Sequence, residues 1–114
     1  MRARLLPILL LAAGLAACAD AAGQGPAGRC AEVAGIYKGL QKPVQVVGQP
    51  VHTSEGSVEI EYEGQDAMNL PTRGSASCTF AVGEPGELGL LEAVVDGSPL
   101  GPGAIEAIRT ELGS

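Results

Sequence analysis

Hydrophobic and polar residues alternate most regularly in the segment SVEIEYE, residues 57–63. Its apolar and acidic side chains follow one another in the order Val58, Glu59, Ile60, Glu61, Tyr62 and Glu63. Successive side chains of a strand point to opposite faces of the sheet, so this pattern predicts a β-strand with one buried face and one solvated face. We interpret the three glutamates as a hydrated outer face, because a Ca²⁺ site requires about six to eight oxygen ligands from a curved loop.

Two more segments have the composition of strands. In SASCTFAV, residues 75–82, the side chains of Cys78, Phe80 and Val82 share one face. The segment LGLLEAVVD, residues 88–96, predicts a third strand, but its pattern does not fix the register. The polar segments at 64–74 and 84–87 predict the connecting turns.

Helical spacing occurs at both ends of this strand region. Between residues 28 and 41 apolar residues recur at intervals of three and four, and Pro43 ends the predicted helix. The residues on this apolar face are Cys30, Val33, Tyr37 and Leu40. Near the end of the chain Pro102 suits the first turn of a second helix, whose stripe contains Ile105, Ile108 and Leu112.

The predicted fold class is α+β: an N-terminal helix, a three-stranded antiparallel meander with a possible extra edge strand, a C-terminal helix and one disulfide. The valine-rich segment 43–56 is broken by Gly48 and Pro50, so it predicts either an extended crossing or a short edge strand. Residues 97–103, GSPLGPG, are predicted to form a loop.

The beginning of the chain has the pattern of an export signal. Arg2 and Arg4 precede thirteen uncharged residues, 5–17, a run too short to span a bilayer. The following LAAC, residues 15–18, resembles the lipobox of bacterial lipoproteins. That resemblance implies removal of residues 1–17 and attachment of a diacylglyceryl group to Cys18. Ordinary secretion with cleavage between residues 13 and 17 is the alternative.

A lipidated Cys18 would act as a membrane anchor, because two or three acyl chains give lasting attachment. Ala19 follows it, where an aspartate would favour the inner membrane, so we expect an outer-membrane protein facing the periplasm. Residues 18–28 are predicted to form the lipidated N-terminus and a flexible tether, and residues 29–114 a single small domain.

Charge and cysteine count refine this prediction. Without residues 1–17 the chain has 97 residues, with five basic and thirteen acidic side chains and a formal charge of −8, which disfavours nucleic acid as a partner. With Cys18 acylated, Cys30 and Cys78 remain and predict one disulfide, which in the simple loop-entropy treatment stabilises the fold by about 4 kcal/mol. A redox-active pair is less favoured, because the sequence contains no CxxC motif.

Residues 62–80, YEGQDAMNLPTRGSASCTF, resemble small exported bacterial domains of unknown function, in which a helix precedes a hairpin with a cysteine in its second strand. The sequence differs at Asp66, where that pattern often has asparagine. The resemblance implies an exported α+β domain and no particular activity.

The sequence predicts no catalytic residues, no metal site and no cofactor. His52, the only histidine, is expected to be a solvated loop residue, and no serine lies in a GxSxG motif. We therefore expect a non-enzymatic interaction or structural module. It would contact an envelope partner through a strand edge, the 68–72 loop or the C-terminal helix. The alternative is a small periplasmic ligand-binding protein, or a hydrolase that uses His52 and nearby carboxylates.

Overall fold

The computed structural model describes residues 25–82 and 88–112. Within these residues two helices pack on one antiparallel sheet. In chain order the elements are α1 (Pro26–Lys38), β1 (Gln41–Ser54), β2 (Ser57–Gln65), β3 (Pro71–Val82), β4 (Leu88–Val95), β5 (Ser98–Pro99) and α2 (Pro102–Glu111). Each strand pairs with the next in sequence, in the order β1-β2-β3-β4-β5. The α+β class is confirmed, and the possible extra edge strand is present as β1. The count of three strands is wrong, because the sheet has five strands in the described residues.

β1 is a long edge strand with only a short regular centre. Its pairs with β2 are regular from Gln45 to Val47, and the register shifts on both sides of this stretch. Pro43 lies in one irregular stretch, and Pro50 lies in the other. Proline lacks a backbone donor and is tolerated on an edge strand or at a bulge. These breaks explain why the hydrophobic pattern of 43–56 leaves the strand undecided.

β4 contains a bulge that explains its irregular sequence pattern. Phe80 of β3 pairs with Leu90, whereas the neighbouring Thr79 pairs with Glu92, so Leu91 is the extra residue. Leu91 is therefore 48% exposed, although the strand residues Leu90, Ala93 and Val95 are buried. A bulge shifts the alternation by one position, so no single period of two describes the whole strand.

β4, which was predicted as a strand, forms a tight hairpin with β5, which lies in the segment predicted as a loop. Val95 pairs with Ser98, and the two residues between them, Asp96 and Gly97, have φ angles of 51° and 81°. Positive φ at both central positions is typical of the type I′ turn that joins antiparallel strands. The loop prediction for 97–103 was wrong at β5, because a two-residue strand has no periodicity to detect.

Both helices pack on the same face of the sheet. α1 contacts β1, β2 and β3, and α2 contacts β4 and α1. The buried residues of helices and strands form a single core, which includes Val33, Tyr62, Leu90 and Ile108. Helix α1 begins at Pro26, so residues 26–28 of the predicted tether belong to its first turn, where Ala27 is buried.

Candidate functional site

The predicted disulfide joins the first helix to the middle of the sheet. Cys30 of α1 and Cys78 of β3 are bonded, with their Cα atoms 5.7 Å apart, and both residues are buried. Cys30 lies on the apolar face of α1, and Cys78 lies on the inner face of β3, where Phe80 is also buried. The bond closes a sequence separation of 48 residues and confirms the predicted pairing.

A buried tyrosine and a turn aspartate form a polar group that joins several elements of the fold. The Tyr62 hydroxyl donates to both carboxylate oxygens of Asp96, at 3.0 and 2.9 Å. The Asp96 Oδ1 atom also accepts the Ser75 backbone N–H at 3.0 Å, and its Oδ2 atom lies 3.1 Å from the Lys38 Nζ atom. One carboxylate therefore connects the end of α1, β2, β3 and the β4–β5 turn.

Gly74 provides the space for this group. It pairs with Tyr62 across β2 and β3. A Cβ atom at position 74 would overlap the Asp96 carboxylate and the Tyr62 hydroxyl. The absence of a side chain therefore allows the phenol of one strand to reach the turn beyond β3.

The pKa shifts of Tyr62 and Asp96 suit a structural role of this polar group better than a role in proton transfer. Burial, together with the hydrogen bond and charge of Asp96, raises the pKa of Tyr62 to about 12. Burial alone would raise the pKa of Asp96, but hydrogen bonds from Lys38, Ser75 and Tyr62 outweigh it and lower that pKa below its ordinary value. General acid and base catalysts work best with pKa values near the working pH, and both shifts lead away from neutrality.

The turn between β2 and β3, residues 66–70, is held by its own hydrogen bonds; we call it the Met68 turn. The Asp66 Oδ1 atom accepts the backbone N–H groups of Met68 and Leu70, at 2.8 and 3.0 Å. The Gln41 side chain donates at 2.7 Å both to the Asp66 carbonyl and to the Asn69 side-chain oxygen. Despite this rigid frame, Met68 is 77% exposed and Leu70 is 56% exposed.

A groove of about 1100 Å³ lies between α1 and β1; we call it the α1–β1 groove. Its apolar side chains come from both elements and include Ile36, Leu40, Val44 and Val46. Gly35 lets the helix approach the strand, because a Cβ atom there would lie 2.6 Å from the Val44 Cγ2 atom. The charged residues that line the groove are Glu32, Lys42 and Glu111.

The predicted candidates for chemistry do not come together. His52 lies in β1, paired with Val58, and not in a loop as expected. Its side chain is exposed, and it does not line the α1–β1 groove. The side chain of His52 forms no hydrogen bond or ion pair with another described residue.

The glutamates of β2 lie on the face of the sheet away from the helices. Glu59 and Glu61 are exposed and pair with the serines of β3, whereas Glu63 lies 3.5 Å from the Arg73 guanidinium. Within residues 25–82 and 88–112, no group of three or more histidine, cysteine or acidic residues could hold a metal ion.

The sequence analysis missed the Tyr62–Asp96–Lys38 group. Two signals were present: a tyrosine at a buried strand position, whose hydroxyl needs a partner, and the Asp-Gly pair of a type I′ hairpin. Neither signal identifies the other residue, because Tyr62 and Asp96 are 34 residues apart.

Cys18 and the predicted lipobox lie outside the described residues. In the part of the chain that is described, neither helix has the length and apolar character needed to cross a membrane. No protein-family model, curated protein or solved structure matches the chain. The lipoprotein assignment and the resemblance of residues 62–80 to exported domains therefore stay predictions.

Proposed function

We propose that this chain is a lipid-anchored protein of the bacterial cell envelope that binds another envelope protein without catalysing a reaction. Its anchor is the lipid on Cys18, and its domain faces the periplasm from the outer membrane. The basic N-terminus, the thirteen uncharged residues and LAAC support this location. The disulfide is compatible with an oxidising compartment outside the cytoplasm.

The Met68 turn is the observation that carries the binding role. It displays two large apolar side chains, Met68 and Leu70, on a backbone that hydrogen bonds already fix. A surface that is ordered before binding loses less conformational entropy when a partner covers it. Methionine also adapts its shape to an apolar pocket. We therefore assign the partner contact to this turn.

The position of the turn favours a protein partner over the bilayer. The tether enters α1 at Pro26, whereas Gln41, which follows the other end of α1, donates to the Met68 turn. A helix of 13 residues is about 20 Å long, so the first described residues and the Met68 turn lie near opposite ends of α1. An anchor joined to the chain before Pro26 therefore favours an orientation in which the Met68 turn faces the periplasm.

The binding role is tested by placing a photoreactive amino acid at position 68 of the full-length protein in living cells. We expect one discrete crosslinked species that forms only on irradiation and is lost when Leu70→Ser is added. Position 55, in the exposed turn between β1 and β2, is the matched control. Equal crosslinking at both positions, or none at position 68, would contradict the assignment.

The anchor is tested separately by detergent phase partitioning. We expect the unmodified protein in the detergent phase and Cys18→Ala as an unprocessed precursor that carries no lipid. An unmodified protein that partitions into the aqueous phase would exclude the lipid anchor. That result would leave a crosslink at position 68 unaffected, so the two parts of the proposal can fail independently.

A catalytic function for His52 receives no comparable support. The side chain is exposed on an edge strand, outside the groove, and has no hydrogen bond or ion pair to another described residue. Binding of a small ligand is favoured by a different feature, the α1–β1 groove.

A further inference from the structure

The α1–β1 groove has the chemistry of a site for an aliphatic ligand. Eleven of its sixteen lining residues are glycine, alanine, proline or branched aliphatic residues, and none is aromatic. The groove follows α1 from Ala27 to Gly39, a distance of about 18 Å at the rise of a helix. Its volume, about 1100 Å³, is slightly above the range typical of ligand sites, about 300–1,000 Å³.

The edge strand beside the groove is poorly suited to an extended peptide. A peptide that adds to a sheet edge binds through a continuous row of backbone hydrogen bonds. The register of β1 against β2 is regular only at residues 45–47 and 51–52, with shifts between and beyond them, and Pro43 and Pro50 cannot donate. An occupant that needs no backbone hydrogen bonds fits this surface better.

The charged residues that line the groove determine the orientation of such a ligand. Lys42 is exposed, is the only basic residue that lines the groove, and forms no ion pair with another described residue. It lies close in sequence to the C-terminal end of α1. The other two charged lining residues, Glu32 and Glu111, would repel an anion.

We propose that the α1–β1 groove binds a long-chain fatty acid, with its carboxylate at Lys42 and its hydrocarbon chain along Ile36, Val44 and Val46 towards Ala27. This site goes beyond the proposed protein contact and lies on other residues than the Met68 turn. It does not depend on a lipid at Cys18.

The test uses a photoactivatable palmitic acid with its reactive group in the chain, added to membranes that contain the full-length protein. We expect saturable labelling, with adducts mapped by mass spectrometry to residues 27–50. Excess palmitic acid should compete at concentrations at which hexadecanol, which lacks the carboxylate, does not. Adducts confined to residues before Gly25, or spread evenly over the domain, would overturn the proposal, as would equal competition by the two compounds.

Two variants with matched controls localise the site. Ile36→Glu places a carboxylate in the apolar lining and should reduce labelling at least about tenfold. Leu91→Glu makes the same replacement at an exposed position outside the groove and should leave labelling unchanged. Because Ile36 packs against the core, its replacement should lower the melting temperature, so an intact disulfide and a cooperative thermal transition well above the assay temperature establish that each variant is folded.

Lys42→Gln should reduce labelling about threefold, as expected for the loss of one solvent-exposed ion pair. Arg73→Gln removes the same charge from β3, outside the groove, and serves as its control. Equal labelling of Ile36→Glu and Leu91→Glu would overturn the assigned position of the ligand. Equal labelling of Lys42→Gln and Arg73→Gln would overturn its assigned orientation. Because these variants leave Met68 intact, crosslinking at position 68 continues to report on the protein contact alone.

Discussion

Replacement of Tyr62 by phenylalanine removes one hydroxyl group and retains the buried ring. The hydroxyl donates to both oxygens of the Asp96 carboxylate, at 3.0 and 2.9 Å. A hydrogen bond to a charged group contributes about 1.5–3 kcal/mol to stability. Asp96 keeps Lys38 and the Ser75 N–H as partners, so its charge is not left uncompensated. We therefore expect a loss near the lower limit, about 1.5 kcal/mol.

Urea unfolding of the oxidised protein at neutral pH measures this loss. Tyr62→Phe should lower the midpoint and leave the slope unchanged, because the surface exposed on unfolding stays the same. Tyr37→Phe is the matched control, since Tyr37 is 45% exposed and its hydroxyl bonds to no other described residue. The control should change the free energy of unfolding by less than about 0.5 kcal/mol.

The pH dependence of the free energy of unfolding distinguishes loss of the Tyr62–Asp96 hydrogen bond from a change in the packing of the ring. Folding raises the pKa of Tyr62 from 10.0 to about 12, so its contribution is complete below pH 10 and is lost as the pH rises through about 12. The deficit of Tyr62→Phe should therefore narrow above pH 10. Equal midpoints for the variant and the unmodified protein at neutral pH, or a deficit that stays constant above pH 10, would refute this account of the group.

The other predictions concern the close packing at Gly74, the disulfide and the exposed side chain of His52. Gly74→Ala should lower the free energy of unfolding by about 1–3 kcal/mol in the same urea assay, because its Cβ would overlap Tyr62 and Asp96. A stability equal to that of the unmodified protein would contradict the close packing. Replacing Cys30 and Cys78 together by serine should cost about 2–5 kcal/mol, measured as a lower thermal midpoint. His52→Ala should leave both stability and photo-crosslinking at position 68 unchanged, and a loss of crosslinking with an intact fold would contradict the assignment of the partner contact to the Met68 turn.

The sequence predicts those parts of the fold that follow from the pattern of residues within one short segment. β2 and the inner face of β3 follow from alternation, and α2 follows from Pro102 and the stripe that contains Ile105 and Ile108. The disulfide follows from pairing the two cysteines that remain once Cys18 is assigned to lipidation. These predictions needed no knowledge of which strands are neighbours.

The sequence does not predict the number of strands in the sheet, because β1 and β5 have weak hydrophobic patterns. β1 is interrupted by prolines, which are tolerated at an edge position or at a bulge, and β5 has two residues. The sequence predicts the turn between β2 and β3 and includes residues 68–72 among the possible contact surfaces. It does not predict the hydrogen bonds of Asp66 and Gln41 that fix this turn, because Gln41 is distant in sequence. The α1–β1 groove combines a helix with an edge strand, so it is visible only after both have been placed.

The bulge at Leu91, which the sequence pattern does not locate, sets the position of Asp96 relative to Tyr62. Because Leu91 is an extra residue, Ala93 and Val95 point into the core, and Asp96 follows opposite Ser75. A shift of one residue would reverse the faces of the strand and separate the carboxylate from Tyr62. Every partner of Asp96 is therefore set by the position of one exposed leucine. The hydrophobic pattern of residues 88–96 leaves that position undetermined, because apolar residues lie on both sides of the bulge.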